Sequence, residues 1–292
     1  MKKILILGGG GFLGLHLSNY LKKKNSITIF QRRKPSLQDF SKDIKFKSLD
    51  LSNYGNCLNN IKDFDTVINC AAILKGNNEN RIFIQNMKIF LYSFFACINN
   101  NVKNYVFISS NNVVAKNDFL KVKNNKSKFK INDGYTLSKV MSEFFLLKLK
   151  KNIKVKIIRP SNIYGSKSSS GVIFDLIKKI KYCKKKKLIL SANPKSSRNF
   201  TYIDDCVKCI SLILKKKIDR PINITNDIKV NINDLVTTIK KVLKKDVQII
   251  YKYDRNKIDH KLFNTLYLRK KIKWKDNFSL RKGINNLVKA SH

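Results

Sequence analysis

Several kinds of site are hard to build from this chain, because the residues they need are scarce. It has three histidines, His16, His260 and His292, too few and too scattered for an imidazole-built metal centre. Its six cysteines show no paired framework. That argues against a disulfide-stapled secreted domain and for reduced thiols in the cytoplasm. Cys206 and Cys209 form a lone C-x-x-C with no second pair. Two small, half-buried residues on one helix face are the expected meaning, and no metal is expected. No apolar stretch approaches transmembrane length, so no membrane partner is expected. Met1-Lys2-Lys3 before Ile4 to Leu7 opens like a signal peptide, but the run is short and breaks into four consecutive glycines. A strand entering a turn is the better reading.

Acidic residues are also few: 19 Asp and Glu stand against 61 Lys and Arg, a formal charge of +42. Only nine of those cations are arginine, and the lysines are spread along the whole chain, as codon bias in an AT-rich genome would produce. Runs such as Lys22 to Lys24, Lys184 to Lys187 and Lys215 to Lys217 follow apolar helical patterns, where cations complement a helix C-terminus. A nucleic-acid partner is therefore not expected. The surface field should instead attract an anionic substrate.

With 292 residues and 43% hydrophobic content, the chain can bury one large domain or two unequal ones. Runs rich in β-branched residues at Lys3–Leu7, Ser26–Phe30, Ile44–Phe46, Thr66–Asn69, Tyr105–Ile108 and Val155–Ile158 alternate with amphipathic stretches such as Phe12–Lys24 and Phe83–Ile98. Such alternation predicts an α/β fold, a Rossmann-type doubly wound parallel sheet with helices on both faces. After Gly165 the regularity weakens, with a helix over Val172–Tyr182, strands at Leu188–Leu190, Ile222–Thr225 and Val247–Tyr251, and a helix over Asn233–Leu243. A smaller C-terminal substrate-binding lobe is expected. The dinucleotide-binding domain takes 1–165, with 200–226 returning to it, and the lobe takes 166–199 and 227–292.

Gly8, Gly11 and Gly14 lie between the first strand and the first helix, where a dinucleotide's pyrophosphate can meet backbone N–H groups. The second strand ends in Gln31-Arg32-Arg33 rather than an acidic residue. Those arginines suit a ribose 2′-phosphate, so NADP is expected, with NAD as the alternative. Asp50 follows the third strand and is placed to accept from an adenine amino group. Asn69-Cys70-Ala71-Ala72 follows the fourth, with small residues where backbone and cofactor pass closely. Tyr135 and Lys139 are four apart on a helix face, preceded in the chain by Ser109-Ser110. A tyrosine has a pKa of about 10; a lysine ammonium and an oxidised nicotinamide both favour its phenolate. Tyr135 then exchanges the proton of an alcohol, Lys139 lowers its pKa and orients the ribose, and Ser110 hydrogen-bonds the reacting oxygen.

Taken in order, these motifs resemble extended short-chain dehydrogenase/reductases of the NAD-dependent epimerase/dehydratase family, which act on nucleotide sugars. The likeness runs through Gly11-Phe12-Leu13-Gly14 with His16, Asp50-Leu51, Val67 to Ala72, Asn86, Val102 to Ser110, and Tyr135 and Lys139 with Glu143. It continues through Arg159 to Gly165, Arg198 to Asp205, Lys273-Trp274 and Leu280 to Gly283. It implies that Phe12, Leu13, Leu51, Cys70, Ala71, Ala72, Asn86, Ser109, Pro160 and Ile163 join the glycines, Gln31, Arg32 and Asp50 around the cofactor. It implies that Asn162 and Arg198 face a nucleotide diphosphate, with Arg255 a further candidate reached by a one-residue shift. It also implies a homodimer through a four-helix interface built from Phe83–Ile98 and Ser138–Leu149. Family dehydratases follow the catalytic Ser or Thr with Asp-Glu; here those positions hold Asn111 and Asn112, which disfavours a 4,6-dehydratase. Val114-Ala115 replaces the usual Tyr-Gly, and Leu7 a common threonine. A 4-ketoreductase or a 4-epimerase acting at hexose C4, serving surface-polysaccharide assembly, is the expectation. A non-catalytic NAD(P)-binding module, a redox sensor or RNA-binding protein of the same fold, is the alternative.

Overall fold

A computed structural model describes residues 1–33, 40–114, 133–148, 153–253, 260–261, 263 and 265–290. In chain order the elements are β1 (Lys2–Leu7), α1 (Phe12–Leu21), β2 (Asn25–Gln31), β3 (Lys45–Ser48), α2 (Tyr54–Asn60), β4 (Thr66–Asn69), α3 (Glu79–Asn99), β5 (Asn104–Ile108), α4 (Gly134–Lys148) and β6 (Lys154–Pro160). There follow β7 (Ile163–Tyr164), α5 (Val172–Lys181), β8 (Lys187–Leu190), β9 (Ser197–Arg198), β10 (Thr201–Tyr202), α6 (Ile203–Leu214) and β11 (Ile222–Ile224). The chain ends through β12 (Val230–Asn231), α7 (Ile232–Leu243), β13 (Gln248–Tyr251), β14 (His260–Lys261), α8 (Leu266–Ile272) and α9 (Leu280–Lys289). Two compact units result: Met1–Arg159 with Ile213–Ile222, and Pro160–Leu212 with Asn223–His292.

The main sheet has the order β11-β6-β5-β4-β1-β2-β3, and β3-β2-β1-β4-β5-β6 pair in parallel. This is the doubly wound sheet that the alternating pattern predicts. The order reverses between β1 and β4, and a ligand crevice opens past the carboxyl ends of the strands at such a switch point. Central β4 is buried along its whole length, as expected for a parallel strand covered on both faces. The strand expected at Ile44–Phe46 is instead β3, a mostly exposed edge strand whose lysines discourage further pairing.

Leu5 and Leu7 of β1, Phe30 of β2, and Tyr105 and Phe107 of β5 meet Phe90 and Phe94 of α3 and Leu146 of α4 in one core. Phe90 lies edge-on to Phe107 at 5.3 Å between centroids, and Phe94 likewise to Tyr105 at 5.2 Å. Such aromatic pairs fix α3 on the sheet beyond what area burial alone supplies. The helix expected over Phe83–Ile98 starts earlier, at Glu79, because the Asn78 side chain caps it by accepting from Arg81 N at 2.9 Å. At 21 residues it is long and apolar enough, by length and composition, to cross a membrane. That corrects the expectation that no stretch approaches that length. Its Asn86, Ser93, Phe90 and Phe94 are nevertheless buried in the first unit. On its outer side Ile84 and Phe95 are exposed, as are Met141, Phe144 and Leu147 on α4.

The second unit is built from short pieces. β7 pairs with β10, β8 with β13, and β9 with both β12 and β14. Asp205 at the start of α6 accepts from the backbone N–H groups of Asn277 and Phe278 at 3.0 and 3.1 Å. Arg269 donates to Asp276 at 2.8 Å, pairs with Asp227 and stacks 4.6 Å over Trp274.

Candidate active site

The crevice begins at Gly8, whose φ is +71° and whose N–H donates to Phe30 O at 2.8 Å. A Cβ there would lie 2.7 Å from the Cα of Ala71, so both the turn and the close approach of β4's exit require glycine. Gly11 then starts α1 in an extended conformation, with no side chain capping the helix and no acidic residue in its first turn. The leading N–H groups of a helix need partners, and an uncapped, glycine-lined N-terminus offers them to an anion. Phe12 and Leu13 are half-buried on this first turn, and Gly14 is buried.

Gln31, at the end of β2, bridges this turn. Its Oε1 accepts from Gly10 N at 2.5 Å and its Nε2 donates to Arg33 O at 2.6 Å. Beyond it lies a cavity of about 640 Å³ lined by Arg32, Asp50, Ser52, Ile73, Arg81 and Gln85, among others. Asp50 accepts from the backbone N–H and hydroxyl of Ser52 at 2.9 and 2.7 Å. Those bonds hold its carboxyl below the usual range; burial opposes them, and the Arg32 charge adds a lesser lowering. Leu51 is buried in the core. Arg81 was not among the sequence candidates. Its place depends on how 70–78 folds, and its one local signal is being an arginine in a chain dominated by lysine.

The exit of β4 is shaped by two buried amides. Asn69 accepts from Ala71 N at 3.0 Å and donates to Ser93 and Tyr105 at 3.2 and 2.9 Å. Asn86 accepts from Ile73 N at 2.8 Å and donates to Ile73 O at 3.0 Å. Between them run Cys70, Ala71 and Ala72. Burial pushes the Cys70 thiol up to about 12, with Lys139 acting the other way. Ser109 is buried, and its hydroxyl has no partner among the described residues.

Ser110, Tyr135 and Lys139 come together here. Asp133 caps α4, its carboxylate accepting from Thr136 N at 2.5 Å. The Tyr135 phenol lies beside the Ser110 hydroxyl; burial pushes the phenol up to about 12, the Ser110 hydroxyl lowers it and the Asp133 charge raises it. Lys139 is buried, its ammonium donating to Ile108 O at 2.7 Å and lying 4.5 Å from the Phe107 ring centroid and 5.7 Å from that of Tyr135. Burial lowers its pKa to about 8, while Cys70 and Glu143 act to raise it. Glu143 is itself held by Arg159, whose Nε approaches its two oxygens at 2.9 and 3.0 Å. Beside Ser110, Asn111 is buried with both amide atoms unpartnered among the described residues, and Asn112 is exposed.

In the second unit, Asn162 has a φ of 40° and donates to Asn199 O at 2.9 Å. Ile163 pairs with Thr201 across β7 and β10, and Pro160 is buried at the end of β6. Arg198 donates to Ser197 O at 2.9 Å from within β9. Asn199 was not a sequence candidate; it ties Ile228 O and Phe263 N together at 3.1 Å each. Arg255 lies outside the described residues.

The strand order, the uncapped glycine turn and the tyrosine–serine–lysine cluster define a dinucleotide-binding α/β protein. The turn at Gly8, the open N-terminus of α1, the cavity beyond Gln31 and the Ser109 hydroxyl, unpartnered among the described residues, all fit a nicotinamide dinucleotide.

Comparison with known proteins extends this. The NAD-dependent epimerase/dehydratase family model matches residues 4–225, and the chain belongs to that family of enzymes. It is 26% identical over 312 residues to a putative UDP-glucose 4-epimerase of Methanocaldococcus jannaschii, covering 98% of this chain and 97% of the relative. It is 28% identical over 273 residues to a dTDP-D-glucose 4,6-dehydratase of Dictyostelium discoideum, with 82% of this chain and 62% of the relative covered. The chain thus spans less than two thirds of that dehydratase. A UDP-N-acetylglucosamine 4-epimerase structure from Methanobrevibacter ruminantium superposes with a TM-score of 0.85 at 24% identity, covering 99% of this chain and 98% of that one.

Proposed function

We propose that the chain is a nucleotide-sugar oxidoreductase acting at C4 of a nucleoside-diphosphate hexose. The observation that carries this is the Tyr135 phenol beside the Ser110 hydroxyl, with the buried Lys139 ammonium 5.7 Å from the Tyr135 ring centroid. Tyr135 takes the proton of the C4 hydroxyl as that carbon is oxidised and returns it on reduction. Ser110 holds the same oxygen as its charge changes. A phenol held near 12 by burial needs positive charge close by to release its proton. The Lys139 ammonium and an oxidised nicotinamide are the candidates for that charge. When bound, the cofactor's nicotinamide would supply the hydride acceptor or donor for the sugar carbon. Gly8, Gly11 and Gly14 would hold its pyrophosphate, and Asp50 its adenine. Asn111 and Asn112 carry amides where a 4,6-dehydratase needs an acid and a base, which leaves 4-ketoreduction or 4-epimerisation.

NADP is our preferred cofactor, because Arg32 and Arg81 line the same cavity and two guanidinium groups suit a 2′-phosphate. The second unit would hold the nucleotide sugar through Asn162 and Arg198. The exposed apolar residues of α3 and α4 support a homodimer through those helices, and six free thiols suit the cytoplasm.

The test is to denature the purified protein, identify any released nucleotide, and assay nucleoside-diphosphate hexoses and their 4-keto forms. Tightly held NAD points to an epimerase; an empty protein that prefers NADPH to NADH points to a reductase. Tyr135→Phe should abolish turnover while cofactor binding stays within about threefold, and retained turnover would refute the assignment.

A further inference from the structure

The N-terminus of α4 is closed from outside its own helix. Gly134 N–H donates to Glu79 Oε2 at 2.7 Å, across 55 residues of sequence. The two backbones touch there as well. A Cβ on Gly134 would collide with the Glu79 carbonyl oxygen and lie 2.9 Å from its carbon. Glycine is therefore required at 134 by space, and the approach brings Glu79 within reach. Asp133 covers Thr136 N, so two carboxylates share the leading N–H groups immediately around Tyr135.

Glu79 is also the first residue of α3, directly after its cap Asn78. The same turn of α3 lines the cavity beyond Gln31, through Asn77, Asn78, Arg81 and Ile82. One side of this turn thus borders the cavity assigned to the adenosine end of the cofactor, and the other side holds the helix that carries Tyr135.

We propose that Glu79 is a positioning residue for Tyr135, fixing the start of α4 against the turn of α3 that borders the cofactor cavity. The proposal rests on the reading of Tyr135 given above. A carboxylate–amide bond is a strong restraint, and catalysis falls steeply when a proton-transfer group shifts by about 1 Å. Filling the cavity should steady the α3 turn and, through Glu79, the phenol.

The experiment compares wild type, Glu79→Ala and Glu79→Gln by turnover and by NMR amide exchange at Gly134, with and without NADPH. Glu79→Ala should lower kcat about 10- to 100-fold with substrate KM within about threefold. Its Gly134 amide should exchange at least about tenfold faster. Glu79→Gln keeps an acceptor oxygen and should restore most of both. NADPH should slow Gly134 exchange in wild type and not in Glu79→Ala. If Glu79→Ala does not fold, Glu79→Ser, too short to reach Gly134, replaces it. Wild-type kcat in Glu79→Ala, equal losses with alanine and glutamine, or an unchanged Gly134 exchange rate would each overturn the proposal. A wild type that turns over no nucleotide hexose would sink the assigned reaction, while exchange at Gly134 would still decide the role of Glu79.

Discussion

The N-termini of α1 and α4 belong to the same unit and are built in opposite ways. α1 starts on glycine, with neither a capping side chain nor an acidic residue in its first turn. α4 starts between two carboxylates, Asp133 and Glu79, which accept from Thr136 and Gly134. Every helix start has unpaired N–H groups and a partial positive charge. At α1 no side chain among the described residues caps them, which suits a phosphate. At α4 the protein's own anions take them, and a phosphate approaching that end would meet like charge. A ligand-binding helix start and a side-chain-positioning one are thus distinguishable by who supplies the anion.

The most severe way to break the comparison is Gly8→Ala. Left-handed strain and contact with Ala71 should weaken nucleotide binding about a thousandfold, ~4 kcal/mol, by fluorescence titration with NADPH. Unchanged affinity would mean that the glycine turn is not the binding end.

Lys139, one turn into α4, gives the next largest effect. Burial lowers its pKa from 10.5 to about 8. Between those values the unfolded chain keeps a proton that the folded chain has released, so stability should rise with pH across this window. The gain is on the order of 3 kcal/mol, and below pH 8 the destabilisation is fully present. Urea midpoints from pH 7 to 9 should rise in wild type relative to Lys139→Met; above pH 9 the buried thiols of Cys57, Cys70, Cys97 and Cys209, which burial holds protonated, pull both curves down. Parallel curves would mean that the ammonium is well hydrated.

Asp133→Ala should cost about 1 kcal/mol through the lost cap, read from thermal unfolding. Asp133→Asn should keep the cap and, by removing a charge that raises the Tyr135 pKa, shift the alkaline-rising limb of oxidation to lower pH. The smallest effect comes from giving α1 the cap it lacks. Gly11→Ser should change stability by only a few tenths of a kcal/mol while weakening NADPH binding severalfold. Tighter binding would contradict the idea that this helix start is kept open for the ligand.

The first unit was legible because each of its signals is local. Strands of four to seven residues leave a visible alternation, and the glycines, Gln31, Asp50 and Tyr135 sit at or near element ends, with Lys139 one turn further along α4. What stayed hidden depends on long-range meetings. Glu79 and Gly134 acquire meaning only when α3 and α4 touch, and Arg81 only when 70–78 folds over the cavity. In the second unit, two-residue strands such as β7, β9 and β10 are too short for any periodicity. The tie made by Asn199 joins three separate stretches of chain.

Asn86 has a consequence for how the protein ages. Its amide meets both polar groups of Ile73, as a neighbouring strand would. Aspartate has the same reach but, when ionised, cannot donate, so its carboxylate would face the Ile73 carbonyl oxygen. Hydrolysis of that one side chain, the common slow damage of stored asparagine, would turn a clasp into a repulsion. While the clasp holds, the amide is bonded and away from water; once the loop frays, it is exposed. Loss of activity on storage would then follow a single exponential set by how often the loop opens, and an added mass of one dalton at Asn86 would mark the molecules that had failed.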